Sequence, residues 1–581
     1  MYVQLRRYWR LLTHYLRPQW LRMGLLAVIL CGTICVQVVT PLVASYFIDQ
    51  ATSGRDLRDL IVLALLTMGL ALVGQGLAVA ETYVAENVSW AATNALRANL
   101  VAHLLRLDAT FHTAHTLGEL IERVDGDVAT LSRFFSRFVV YVLGNGLLLV
   151  GVLALLYHVD WRVGLGMSAF VVLTLAAMLR IRAVATPSWA ADRQASADFY
   201  GFLGEYLTGL QDIRSSGAGV FVLRRCAEMM RSWLAVTRKA QMWGYSLSAT
   251  SLGLFALGTA VAFVLSAMLF KVGTLTIGTV YLIFQCTEML RQPTEQIRNE
   301  VQDLQQVDAS IARVEALLGT APRVTDGPGV SLPLGPLAVE LDGVSFGYVQ
   351  DAPVLRNVSV SLSPGRVLGV VGRTGSGKTT LTRLLLRFYD PLVGAVRLGG
   401  VDLRTVRLTA VRSRIGLVTQ EVHLFHASVR DNLTLFDDGV SDEQISVVLD
   451  TLGLARWLRD LPSGLDTPLL AGGAGLSSGQ AQMLACARIL LRDPDLVILD
   501  EPASRLDPAT DQLIQTVLGR LLEDRTGIIV AHRLATLAYA DDILVLEDGQ
   551  VREHGPRLAL AADPTSRFAE LLRVETSEVS L

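Results

Sequence analysis

The sequence predicts a multidomain protein: an all-α transmembrane domain of six helices followed by an α/β P-loop nucleoside-triphosphatase domain with a helical subdomain. Three observations predict it. A chain of 581 residues that is 51% hydrophobic and only 18% charged, with a mean hydropathy of +0.42, is too apolar for an ordinary soluble protein. Its long apolar runs all lie in the first half. In the second half, Gly372-Arg373-Thr374-Gly375-Ser376-Gly377-Lys378-Thr379 stands between the strand-like run Val367–Val371 and the helix-like Thr380–Leu386.

The apolar runs are residues 20–46, 59–84, 138–158, 161–183, 245–270 and 275–292. Each is close to the ~20 residues that a spanning helix requires, so six crossings follow. Arg6, Arg7, Arg10 and Arg17 precede a first run too long for a cleavable signal sequence, and no signal peptide is expected. Basic residues set the orientation. Arg97, Arg106, Arg123, Arg133 and Arg137 fall between the second and third runs. Arg193, Arg214, Arg224, Arg225, Arg231, Arg238 and Lys239 fall between the fourth and fifth. These two long connectors and both termini are therefore cytoplasmic, and helices two to five should project beyond the bilayer as rods.

Polar residues in or near the runs are Gln37, Gln75, Glu81, Gln285, Glu288, Arg291, Glu295 and Gln296. Such residues either face a cavity or bond between helices, and Gln285 and Glu288 are the candidates for a substrate pathway. The cysteines, Cys31, Cys35, Cys226, Cys286 and Cys486, have neither disulfide nor metal spacing. A net charge of −3 leaves no basic signature of a nucleic-acid partner. Repeated Pro and Gly between Ala321 and Pro336 mark a linker, which places the membrane domain at 1–318, the linker at 319–336 and the nucleotide domain at 337–581.

In the phosphate loop, Gly372, Gly375 and Gly377 let the backbone wrap a phosphate, and the N–H groups of Arg373, Thr374, Ser376 and the helix start at Lys378 supply a positive field. Lys378 is placed to reach the β- and γ-phosphates, Thr379 offers a hydroxyl to Mg2+, and Thr380 continues the site. The apolar strand Leu496–Asp500 ends in two carboxylates, Asp500 and Glu501. Asp500 can hold Mg2+ through water, while Glu501 is placed to polarise the attacking water.

With these motifs the chain resembles the ABC transporter family over essentially its whole length. The resemblance rests on Tyr348, Gln420 within Leu417–Glu421, Leu476-Ser477-Ser478-Gly479-Gln480, Asp500-Glu501-Pro502, Ser504–Asp507 and Ile529–Arg533. It implies that Tyr348 stacks on adenine, Gln420 senses Mg2+ and the membrane connectors, Asp507 communicates between sites and His532 contacts the γ-phosphate. It also implies an exporter-type half-transporter: two chains pair head to tail, and ATP binds between the phosphate loop of one and the Ser477–Gln480 signature of the other. Gly118-Glu119 within Phe111–Leu120, and Phe199–Glu205, match where that family bends its connectors into coupling helices. Thr274–Gly278 matches its sixth span.

Two residues depart from the pattern: the usual glycine at the third signature position is Ser478, and a glutamate often found upstream is replaced near Ala471. The expected function is ATP-driven, alternating-access export of a small or amphipathic substrate from a bacterial plasma (inner) membrane in contact with lipid. A siderophore importer or a lipid flippase on the same scaffold is the rival reading, and the six spans exclude a soluble ABC ATPase. Ser478, in a chain whose own hydrolytic residues are complete, favours a heterodimer over a homodimer.

Overall fold

The computed structural model describes residues 13, 15–137, 142–349, 352–473, 475–501, 508–531 and 534–579, with the side chains of 134–137, 297–306, 471, 508–514, 534–535 and 574–579 left outside the description. The chain divides into two compact units. One contains the chain up to Leu105 together with Leu117–Thr320; the other contains Arg106–Thr116 together with Ala321–Leu581.

In the membrane unit, the helices Trp20–Thr52, Leu57–Arg106, Trp161–Thr208 and Gly219–Lys271 and the shorter segment Val142–Val159 are long and apolar enough to cross a membrane. At 1.5 Å per residue the Leu57–Arg106 helix is about 75 Å long, far more than the ~30 Å hydrocarbon layer, and Trp161–Thr208 and Gly219–Lys271 are of similar length. The sixth predicted crossing is divided. Ile277–Met289 stops at Leu290 and the helix resumes as Arg291–Leu318. The cause is Pro293, which has no N–H for the Met289 carbonyl and whose ring crowds that carbonyl.

Inside the apolar helices, threonine hydroxyls bond back to carbonyls four residues earlier, as Thr33 does to Ile29 at 3.0 Å and Thr40 to Val36 at 2.7 Å, which satisfies them without a partner helix. The helix packing is close. A Cβ at Gly258 would lie 2.4 Å from the Phe170 ring, and one at Gly278 would lie 2.2 Å from the Ser45 carbonyl oxygen. At the latter contact Asp49 closes the joint, accepting from the Thr276 hydroxyl at 2.7 Å and the Gly278 N–H at 2.8 Å. The exporter-like pattern Thr274–Gly278 thus has a local meaning: it lets the start of the sixth crossing lie against the end of the first.

The two connectors behave differently from each other. The first breaks at Leu107–Asp108, forms the short helix Ala109–Ala114 and breaks again before Leu117. Asp108 caps that helix through the N–H groups of Thr110 and Phe111 and also accepts from the backbone of Arg323, while Ala109 packs on the core of the nucleotide-binding unit. The second connector corrects an expectation. Phe199–Glu205 is not a bend but part of the unbroken Trp161–Thr208 helix, where Phe199 lies 5.4 Å from the Trp233 ring of the next helix. Gly201 and Gly204 cost a helix only about 1 kcal/mol each, which does not break a helix of 48 residues. The turn falls later, around the short helix Leu210–Ser215, where Ser216 bonds to the Asp212 carbonyl at 2.6 Å and Gly217 takes a φ of +68°.

The nucleotide-binding unit has two sheets. Strands β1 (Val339–Phe346), β2 (Leu355–Leu362), β4 (Val393–Leu398) and β5 (Val401–Asp402) form an antiparallel sheet ordered β2-β1-β4-β5. The second sheet joins β3 (Val367–Val371), β6 (Ile415–Val418), β7 (Leu496–Asp500), β8 (Thr526–Val530), β9 (Asp542–Glu547) and β10 (Gln550–Pro556) in the order β10-β9-β3-β8-β7-β6. Its strands are parallel from β9 to β6, and β10 is antiparallel. β3 and β8 are buried throughout, as expected for strands covered on both faces. The helices Val429–Thr434, Asp442–Thr451, Ala455–Asp460 and Ser478–Arg492 make up the helical subdomain.

Candidate functional site

The parallel sheet brings the C-terminal ends of β3, β6 and β7 to one edge, and the predicted nucleotide residues follow directly from those ends. After β3 the chain turns through Gly375 at φ +86° and Gly377 at φ +102° into the helix Lys378–Leu385. A Cβ at Gly377 would stand 2.5 Å from Leu355 Cδ2, and one at Gly372 would stand 2.2 Å from the Leu546 carbonyl oxygen. Glycine is needed here for both φ and space. The Lys378 ammonium donates to the carbonyls of Gly372 at 2.6 Å and Arg373 at 3.0 Å, and its third N–H remains for a phosphate. Arg373, Thr374 and Gly375 are exposed at the tip of the loop.

The two strand-end carboxylates are held differently. Burial raises the pKa of Asp500, Glu501 raises it further, and Arg383 and Lys378 oppose the change. Burial lowers the pKa of Lys378 against the pull of Glu501 and Asp500. Both charges are thus short of partners in the protein alone. Glu501 adopts φ +52°, a left-handed conformation rare for a glutamate, fixed by its N–H on the Val530 carbonyl at 2.9 Å. Its Oε2 accepts from the Gln420 amide at 2.8 Å. Gln420 follows the end of β6, so one hydrogen bond joins the ends of two strands.

The donor set fits Mg2+. The Ser376 hydroxyl oxygen is buried with no hydrogen-bond partner among the described residues, the Thr379 side chain is exposed, and Asp500 supplies a carboxylate. These are hard oxygen ligands, suited to Mg2+.

Tyr348 is tethered to the same helix. Its hydroxyl contacts Thr380 Oγ1 at 3.2 Å and accepts from Arg383 at 3.1 Å, while its ring meets Phe346 and Tyr389 edge-on. The ring remains 40% exposed, which leaves surface for a base. The bond to Arg383, which also acts on Asp500, was not anticipated; its signal is the spacing of Tyr348-binding Thr380 and Arg383 on one helix face.

The signature forms the start of another helix. Ser477 caps the helix Ser478–Arg492, with Gln480 N–H on the Ser477 hydroxyl at 3.1 Å and Ser477 N–H on the Gln480 side chain at 2.9 Å. Ser478 takes the first helical position and Gly479 is buried behind it. This helix start opens onto a cavity of about 570 Å³ that it shares with Gln420. His532 and Asp507 lie outside the described residues.

A second polar constellation lies in the membrane unit. A cavity of about 520 Å³ is lined by Gln37 and Gln75 from the first two crossings, Gln285 and Glu288 from the sixth, and Gln292 just past the break at Leu290. It includes both sequence candidates for a substrate pathway. Gln292 was not among the sequence candidates, although its spacing of i+4 from Glu288 and i+7 from Gln285 puts it on the same helix face.

The chain matches the family model described as "ABC transporter" over residues 355–504 and the one described as "ABC transporter transmembrane region" over residues 23–294. It is 30% identical to the ATP-dependent lipid A-core flippase of Photorhabdus laumondii, over 91% of this chain and 90% of the relative. It is 31% identical to the cyclolysin secretion/processing ATP-binding protein CyaB of Bordetella pertussis, over 91% of this chain and 74% of the relative. Among solved structures it is similar to that of a bacterial Atm1-family ABC exporter with ATP bound, at a TM-score of 0.79 and 25% identity, covering 95% of this chain and 98% of the other.

Proposed function

The chain belongs to the ABC transporter family as an exporter-type half-transporter that couples ATP hydrolysis to movement across a membrane, and from that premise we propose that it exports a small or amphipathic substrate through the glutamine-lined cavity of its membrane unit. The observation that carries this reading is the cavity itself. Five polar side chains from helices far apart in sequence converge on one space of about 520 Å³, within the size range of small-molecule sites. The relative named as a lipid A-core flippase supports a lipid substrate as the second reading.

In the nucleotide unit, Lys378 and the loop N–H groups would bind the phosphates of ATP, and Thr379, Asp500 and Gln420 would hold Mg2+. The ion, when bound, neutralises charge on the phosphate oxygens. Glu501 accepts a proton from the attacking water while the Gln420 amide keeps its carboxylate oriented. His532 and Asp507 keep the roles implied by family resemblance. Half-transporters work as dimers, and the separate Ser477–Gln480 surface of this chain completes the phosphate site of its partner. Ser478 puts a hydroxymethyl group where a glycine would let that phosphate approach closely, and this supports a heterodimer with unequal sites.

The test uses the full-length chain in nanodiscs. Glu501→Gln lowers ATP turnover by about 10²-fold or more and leaves MgATP binding intact. Near-normal turnover in that variant would remove Glu501 from the mechanism.

A further inference from the structure

We propose that the membrane cavity selects organic cations over anions of the same size and shape. The inference rests on the reading of this cavity as the substrate site and adds a substrate class to it. Among the described lining residues Glu288 is the only ionisable one, with no Lys, Arg or His beside it. The Thr259 hydroxyl oxygen lies 2.9 Å from the Phe255 carbonyl and 3.3 Å from Glu288 Oε1, so its one proton serves two acceptors. Arg291, the cation nearest in sequence, is taken up by Glu295 at 3.5 Å, and Glu295 also accepts from Ser251 at 2.8 Å.

A second feature has the same sign. Met289 also lines the cavity, and Pro293 offers no N–H to its carbonyl, so that oxygen lacks its i+4 helical donor and adds partial negative charge beside Glu288. The four glutamines add no bias, because each amide both donates and accepts. They provide hydrogen bonds for any polar group and leave Glu288 and the Met289 carbonyl to decide the sign. An anionic headgroup entering this space would meet one carboxylate and no cation.

The experiment compares tetraphenylphosphonium with tetraphenylborate, ions of matched shape and opposite charge. Binding to the full-length chain in nanodiscs is measured by equilibrium dialysis and corrected for empty nanodiscs. The measurement uses this chain by itself, so it reports the side chains that this chain contributes to the cavity. The expected result is binding of the phosphonium about tenfold tighter or more. Glu288→Gln should abolish that preference, and Gln285→Trp, which obstructs the cavity, should abolish binding of both ions. A monodisperse size-exclusion profile and an unchanged helical circular-dichroism spectrum show that the membrane unit of each variant is folded. Equal or reversed preference that Gln285→Trp still blocks overturns the charge selection and leaves the cavity as the binding site. Binding insensitive to Gln285→Trp overturns the cavity reading itself. No measurable phosphonium binding, or a preference that survives Glu288→Gln, overturns the role given to Glu288.

Discussion

The nucleotide-binding unit and the membrane unit hold their polar chemistry in opposite ways. In the first, much of the binding falls to the backbone, and the chain is forced into left-handed conformations at Gly375, Gly377 and Glu501. In the second, side chains on regular helices converge from positions as distant as Gln37 and Gln292. Backbone sites tolerate almost no change at a few consecutive positions, whereas convergent sites lose function in graded steps spread over many helices. The closest analogue of the loop glycines in the membrane unit is Gly278, which serves helix contact rather than ligand contact.

The largest expected effect sharpens that contrast. Gly377→Ala places a Cβ 2.5 Å from Leu355 Cδ2 at a φ of +102°. Strain and displacement of about 3 kcal/mol correspond to roughly a hundredfold loss of MgATP affinity, measurable by titration of the purified chain. Unchanged affinity would show that the loop does not depend on its backbone geometry.

Next is Gly278→Val, whose Cβ would stand 2.2 Å from the Ser45 carbonyl oxygen. It should destabilise the membrane unit by about 2–3 kcal/mol and leave MgATP affinity near wild type. A matching loss of ATP binding would break the separation between the units.

Asp500→Asn tests the electrostatics by sign. Because the folded protein raises the pKa of Asp500, its ionised form opposes folding at pH above the carboxylate range. The penalty grows as pH rises through the folded pKa and vanishes below the unfolded one. Without nucleotide, the variant should melt about 2–4 °C higher at neutral pH and lose this advantage near pH 4, while Mg2+-dependent ATPase activity disappears. A lower melting temperature at neutral pH would contradict the burial argument.

The smallest effect is that of Ser478→Gly. If Ser478 weakens the phosphate contact it makes in a paired chain, the substitution should raise the ATPase activity of this chain expressed alone by about threefold. A stable homodimer with two equivalent hydrolysing sites, indifferent to Ser478→Gly, would defeat the heterodimer proposal.

Much of this architecture was legible because it is local. Residues 372–379 specify a strand-to-helix turn by their glycines, and Asp500 and Glu501 declare a strand end by following four apolar residues. Where the reading and the structure differ, the reason is packing. Phe199–Glu205 contains two glycines and aromatic residues that suit a bend, yet Trp233 of the neighbouring helix holds it straight. The sixth apolar run looks continuous, yet Pro293 divides it at Leu290.

The sequence by itself determined the six apolar runs, their cytoplasmic connectors and the identity of the nucleotide machinery, because hydropathy, charge bias and consecutive motifs act over a few turns of chain. Only the tertiary structure decided that Gln37, Gln75, Gln285, Glu288 and Gln292 share one cavity, that Gln420 holds Glu501, and that residues 106–116 belong with the nucleotide-binding unit. The physical reason is sequence separation. Contacts between residues tens to hundreds of positions apart depend on which helix faces meet and where strand ends align, and no local pattern in the chain encodes that.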